Sequence, residues 1–330
     1  MPAFIPQPMR SVVERLVKLW ESPRIRRSVN IVSLALAVLV GVLAGKHFAS
    51  AGWPLRHARP EYVAGAGVLF LAGYALKAWG WNRLFAPHER PSPLALAAAS
   101  GAACLTGIAL PGRFDDAVRV AVVRKYPGTS TGCKALALSL FTLGLIDTVA
   151  LTPLASAGAA LTNASPALKA GLALVAFCGI GAACVVVALP RIARGRLLRF
   201  RLVHWLAEHA PSTREATKAL VWVLGSWMTR ALGIFLLLGA LGIGLSFPLA
   251  IVFLCAGAAS AALPVAPAGA ATQAGAGAAI LVASGVGTSE AIAFAVAAQA
   301  LVIMAGAAVL CAVAAWHGGA RLVAVAAARG

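Results

Sequence analysis

The chain has 330 residues, of which 61% are hydrophobic and only 12% charged, and its formal net charge is +18. Soluble domains carry about 25% charged residues, and no soluble core has room for apolar runs as long as these, so a soluble enzyme is excluded. The basic excess does not point to nucleic acid: Lys and Arg sit between the apolar blocks, where positive-inside sorting accounts for them, and no nucleic-acid motif is present.

Residues 1–28 are Pro-rich and basic, with Val12, Val13, Leu16, Val17 and Trp20 at helical spacing opposite Glu14, Arg15 and Lys18. That pattern predicts a helix lying on the inner leaflet. A first membrane helix is expected at 29–46. Ala49-Ser50-Ala51 resembles a cleavage site, but the preceding basic region is long and more apolar blocks follow, so an uncleaved anchor is expected. Further blocks lie at about 62–81, 94–111, 132–157, 167–189, 219–243, 247–263, 268–286 and 290–316. Since only structures that satisfy their own backbone cross hydrocarbon, these blocks read as helices; the alternation of an outer-membrane barrel is absent. The expected fold is an all-α, polytopic bundle of about eight spans, with 1–28 as an interfacial segment and 29–330 as one transmembrane domain.

The connection at about 190–218 carries Arg191, Arg194, Arg196, Arg199, Arg201, Arg214 and Lys218, the strongest cytoplasmic marker in the chain. With the N-terminus cytoplasmic, block 62–81 returns inside beside Arg83 and Arg90. If 94–111 then spanned, both Arg119–Lys125 and the Arg-rich connection would fall outside. If it dips in and returns, every basic segment is inside. A re-entrant hairpin at 94–111 is therefore predicted, punctuated by Gly101, Gly107, Pro111 and Gly112. Ser100–Gly112 (SGAACLTGIALPG) and Ala256–Gly269 (AGAASAALPVAPAG) echo each other, which suggests an inverted repeat of interrupted helices. Arg321 and Arg329 favour a cytoplasmic C-terminus; a second re-entrant hairpin would reverse that end.

Asp147 and Arg230 fall near the middle of apolar blocks. A charge at the bilayer centre costs roughly 2.5–3.5 kcal/mol on the insertion scale, so the two are expected to pair across helices or to line a common polar cavity. Arg113, Asp115, Asp116 and Arg119 follow the predicted hairpin at the inner interface, where Arg119 shares a helical face with the two acids. Arg forks suit phosphate oxygens, so these residues are candidates for binding an anionic headgroup; a solvated basic helix is the plainer reading. Gln273 and Gln299 either line a cavity or bond between helices. Lys77 and Arg83 are expected to snorkel to the inner interface. The six cysteines form no CxxC pair and the histidines no HxxxH pair, so neither a metal nor a cofactor is expected.

At Pro111-Gly-Arg-Phe-Asp-Asp-Ala-Val-Arg119 the chain resembles the lysylphosphatidylglycerol synthase transmembrane-region family, the flippase-like domain. Members carry Pro-Gly-Arg-x-Gly-Glu-x-x-Arg after a re-entrant stretch and an Asp in the next helix. Pro111, Gly112, Arg113 and Arg119 match, Asp116 stands for the Glu, Asp115 replaces the Gly, and Asp147 fits the following acid. The family's second motif resembles Pro-x-x-Pro-Gly-Gly-x-Gly-x-x-Glu. Here Pro264, Pro267 and Gly269 remain, while Ala268, Ala271 and Ala274 replace two glycines and the Glu, which puts the usual second-half chemistry in doubt. The aminoacyl-transferase domain of some members has no counterpart in this sequence, so lipid aminoacylation is not expected.

The resemblance implies lipid handling in the cytoplasmic membrane: binding or translocation of an anionic phospholipid or lipid-linked headgroup, through Arg113, Asp115, Asp116, Arg119, Asp147, Arg230 and Gln273. The alternative is a non-catalytic partner of an envelope-biogenesis complex. A membrane-embedded transferase ranks below both, because such chemistry needs gathered acids and the outer connections offer little beyond Glu61 and Glu290.

Overall fold

A computed structural model describes residues 53–107, 114–161, 166–192, 211–261 and 269–327. The interfacial segment 1–28, the helix expected at 29–46, Arg113, most of the basic connection and residues 264–268 of the second Pro-rich motif lie outside the described residues. The described residues form a short 3-10 turn, Pro54–His57, and then helices α1 (Pro60–Asn82), α2 (Pro93–Thr106), α3 (Phe114–Lys125), α4 (Cys133–Leu161), α5 (Pro166–Ile192), α6 (Thr213–Ala240), α7 (Phe247–Ala261), α8 (Gly269–Ala283) and α9 (Thr288–Ala327). There is no strand among them, and the chain is a polytopic helical membrane protein.

Several boundaries follow from local chemistry. Pro60, Pro93 and Pro166 begin helices, where their missing N–H is no loss. Ser92 and Ser212 cap α2 and α6 by accepting from Ala95 N and Glu215 N. Gly242, Gly244 and Gly285 take positive φ after α6 and α8, as the tight reversals there require.

Among the described residues five helices, α1, α4, α5, α6 and α9, are long and apolar enough to cross a membrane. The expected count of about eight includes the block at 29–46, which lies outside the described residues. Blocks 94–111, 247–263 and 268–286 form helices of 14, 15 and 15 residues, which rise only about 21–22 Å against a hydrocarbon core of about 30 Å. Pro93–Thr106 is one continuous helix, and the segment packed back against it is α3. In the same way α8 packs on α7.

Helices α1 and α6 form the most extensive pairing, and α2, α4, α7 and α9 pack around them. Small residues permit the approach. A Cβ on Gly80 would lie 2.8 Å from Val223 Cγ2, and one on Gly101 would lie 2.5 Å from the carbonyl oxygen of Gly306, where α2 crosses α9. Two apolar clusters fill the interior, one around Trp81, Leu136, Ile146 and Val223, the other around Phe70, Leu237, Leu281 and Phe294. Helix α5 is the peripheral span, with Leu174, Phe177 and Ile180 turned outward. In water such a face would be an aggregation site; lipid is its natural solvent.

Candidate functional site

Along α1 the buried positions Phe70, Tyr74, Ala78 and Trp81 recur at helical spacing. Lys77 stands within that stripe, so it turns into the bundle rather than outward. Its Nζ lies 2.7 Å from Asp147 Oδ2, and the two side chains are 16% and 19% exposed. Trp227 Nε1 donates to the other carboxylate oxygen at 3.0 Å. Asp147 on α4 thus ties α1 to α6, with both oxygens satisfied, as a charge in a low-dielectric interior requires. The expected snorkelling of Lys77 is not observed. Snorkelling needs a side chain on the outer face, and Lys77 is not on one.

The expected direct pairing of Asp147 with Arg230 is also absent, because Lys77 takes that place. Arg230 settles on aromatic faces instead: its Cζ lies 5.5 Å from the ring centroids of both Tyr74 and Trp227. Lys77 Nζ is 5.7 Å from the Trp227 ring as well, so one indole serves two cations and one carboxylate. Such contacts are each worth about 0.5–2 kcal/mol. Gly73 makes room for the guanidinium, since a Cβ there would lie 3.3 Å from Arg230 Cγ. Ser226 Oγ donates to the Gly73 carbonyl at 2.8 Å and holds α6 at that register. No ion pair to Arg230 is found among the described residues. Two cations and one carboxylate leave a single positive charge inside the bundle.

Arg119 on α3 pairs with Asp116 at 2.6 Å and Asp115 at 3.2 Å and is within electrostatic reach of Lys77 and Tyr74. The structure therefore brings Arg119, Asp147 and Arg230 into one neighbourhood, with Asp115 and Asp116 at its edge. Gln273 is half-buried on α8 and has no part in these contacts. Tyr74 also links the group to α9: its hydroxyl donates to the Val302 carbonyl at 3.4 Å, and the Cys104 thiol of α2 approaches the same oxygen at 3.9 Å.

The model of the family described as the lysylphosphatidylglycerol synthase TM region matches residues 30–316. The chain belongs to that family. No curated protein and no solved structure matches it. The matched part of the lysylphosphatidylglycerol synthase family is its transmembrane region, which is not itself catalytic, and membrane lipid is the medium in which this family member works.

Sequence reasoning missed Lys77, Tyr74 and Trp227 as members of the group. The signals were present. Lys77 falls one turn from both Tyr74 and Trp81, and Trp227 lies three residues before Arg230, on the same side of α6.

Proposed function

We propose that this chain binds an anionic lipid headgroup in the cytoplasmic membrane and carries it between leaflets. The observation that supports this most is the guanidinium of Arg230, which has no ion pair among the described residues and rests on Tyr74 and Trp227 inside the bundle. A cation half-buried within the bundle without a carboxylate partner is costly, and a phosphate ester compensates it with charge-assisted hydrogen bonds. Arg119, at the edge of the same neighbourhood, delivers the headgroup by exchanging its aspartates for phosphate oxygens. The acyl chains stay in lipid throughout.

In this reading α2–α3 enter from the cytoplasmic side and return, and α7–α8 do the same from the opposite side. Two short helices taken as one hairpin leave the parity of the chain unchanged, so the C-terminus stays cytoplasmic. The reversal that a second hairpin would cause arises only if a single block re-enters alone.

The test is lipid mass spectrometry on gently solubilised protein, beside Arg230→Gln and Arg113→Gln/Arg119→Gln, followed by vesicle transport of whatever is enriched. One anionic lipid class enriched over bulk membrane, and lost in the variants, is expected. Bulk-like lipid in every sample would sink the proposal.

A further inference from the structure

A second charged group lies at the end of the α1–α6 pair where Arg83 caps α1. Three cations from three segments meet one carboxylate there. Arg90 Nη2 is 2.8 Å from Glu215 Oε2, Lys218 Nζ is 2.8 Å from Oε1, and Arg83 Nη1 is 3.8 Å from Oε2. The last distance exceeds hydrogen-bond reach, and Arg83 Nε is buried without a hydrogen-bond partner. Among the described residues, one carboxylate against three cations leaves two positive charges uncompensated. Glu215 lies in the first turn of α6, so the positive end of that helix adds to the excess.

Like charges at this spacing repel, and the backbone holds them in place. Asn82 Nδ2 donates to the Pro91 carbonyl at 2.7 Å, Arg90 Nε to the Phe85 carbonyl at 3.2 Å, and the Thr131 hydroxyl to the Glu89 carbonyl at 2.8 Å. Leu84 and Phe85 bury their side chains beneath. The connection between α1 and α2 is thus fixed at both ends, with its cations preorganised. Arg83, Arg90 and Lys218 remain 29%, 23% and 42% exposed, open to a ligand without unfolding the connection.

We propose that Arg83, Arg90 and Lys218, arranged by Glu215, form a phosphate-binding site at this end of the bundle. It is separate from the Lys77–Asp147–Arg230 group, since Arg83 lies about 9 Å beyond Lys77 along the direction of α1. Guanidinium forks and an ammonium together match the oxygens of a phosphate ester. The phosphate comes from an anionic lipid headgroup or from free phosphate. The site stands whether or not the chain moves lipid.

The experiment uses the full chain in micelles containing equal amounts of phosphatidylglycerol and phosphatidylcholine. Native mass spectrometry counts each retained lipid, and unfolding temperatures are recorded in lipid-poor micelles with phosphatidylglycerol or inorganic phosphate added back. The Arg83→Gln/Lys218→Gln variant is expected to retain phosphatidylglycerol about threefold to tenfold less well, from the loss of two charge-assisted contacts, with phosphatidylcholine unchanged. Arg230→Gln keeps the lipid held at this end, which separates failure here from failure of the transport reading. Glu215→Gln removes the internal carboxylate and leaves the three cations, so it unfolds at lower temperature, and an added anion restores it. Restoration by phosphatidylglycerol assigns the headgroup, and restoration by inorganic phosphate alone assigns the free ion. An undiminished phosphatidylglycerol count in the double variant, or no restoration of Glu215→Gln by either probe, overturns the proposal.

Discussion

The two interrupted helix pairs, α2–α3 and α7–α8, use similar lengths of chain and carry opposite loads. The first brings Asp115, Asp116 and Arg119 to the charged neighbourhood of Lys77. The second has no charged residue from Phe247 to Ala283 and is fastened by apolar contact, with Phe253 edge-on to Phe294 at 5.0 Å and over Gly277. The difference shows how charge is admitted to a membrane interior. Lys77, Asp147 and Arg230 all sit where an opposite charge or an aromatic face receives them, and that reception is built into α1, α4 and α6 beside the first pair. The second pair also packs on α4 and α6, through α7, but it has no charge to place.

The strongest way to sharpen the comparison is to strip the first half of its carboxylate. Asp147→Ala leaves Lys77 buried without its anion and is expected to cost about 3 kcal/mol, read as a fall in unfolding temperature in detergent. Lys77→Met with Asp147→Leu should recover most of the loss, because the stranded charge goes too. A next, smaller effect comes from steric room. Gly101→Ala drives a Cβ against the Gly306 carbonyl and is expected to destabilise by about 1–3 kcal/mol. In the second pair Gly275→Ala meets nothing within 4 Å, and the better helix former stabilises by up to about 1 kcal/mol. Equal signs for the two would break the comparison. The smallest effect is Asp116→Asn, where Arg119 keeps Asp115; about 0.3–0.5 kcal/mol is expected, a shift near the resolution of a thermal melt.

The apolar blocks were legible in the sequence to within a few residues at most ends, because burial in lipid demands unbroken hydrophobic runs and Pro, Gly and Ser mark where they stop. The charge network was legible only in part. Asp147 and Arg230 announced themselves by sitting mid-block. Their partners did not, because the choice of partner depends on which helices touch. Helix α1 packs on both α4 and α6, so its lysine intercepts the aspartate. The position of Lys77 near the end of its block fitted snorkelling by distance; only the stripe through Tyr74 and Trp81 fixes its direction, and that stripe is weak evidence in a helix apolar on every side. Helix length was the other gap. A run of 18 apolar residues and one of 14 followed by a turn look alike until the turn is seen.

The crossing of α2 over α9 has a mechanical side. At Gly101 and Gly306 backbone meets backbone with no side chain between them to deform, so the contact has no slack. From Gly306 the 40-residue α9 extends about 27 Å one way and about 32 Å the other. A change of tilt in the short helix is therefore handed to a long rigid lever near its midpoint, and its two ends swing in opposite directions.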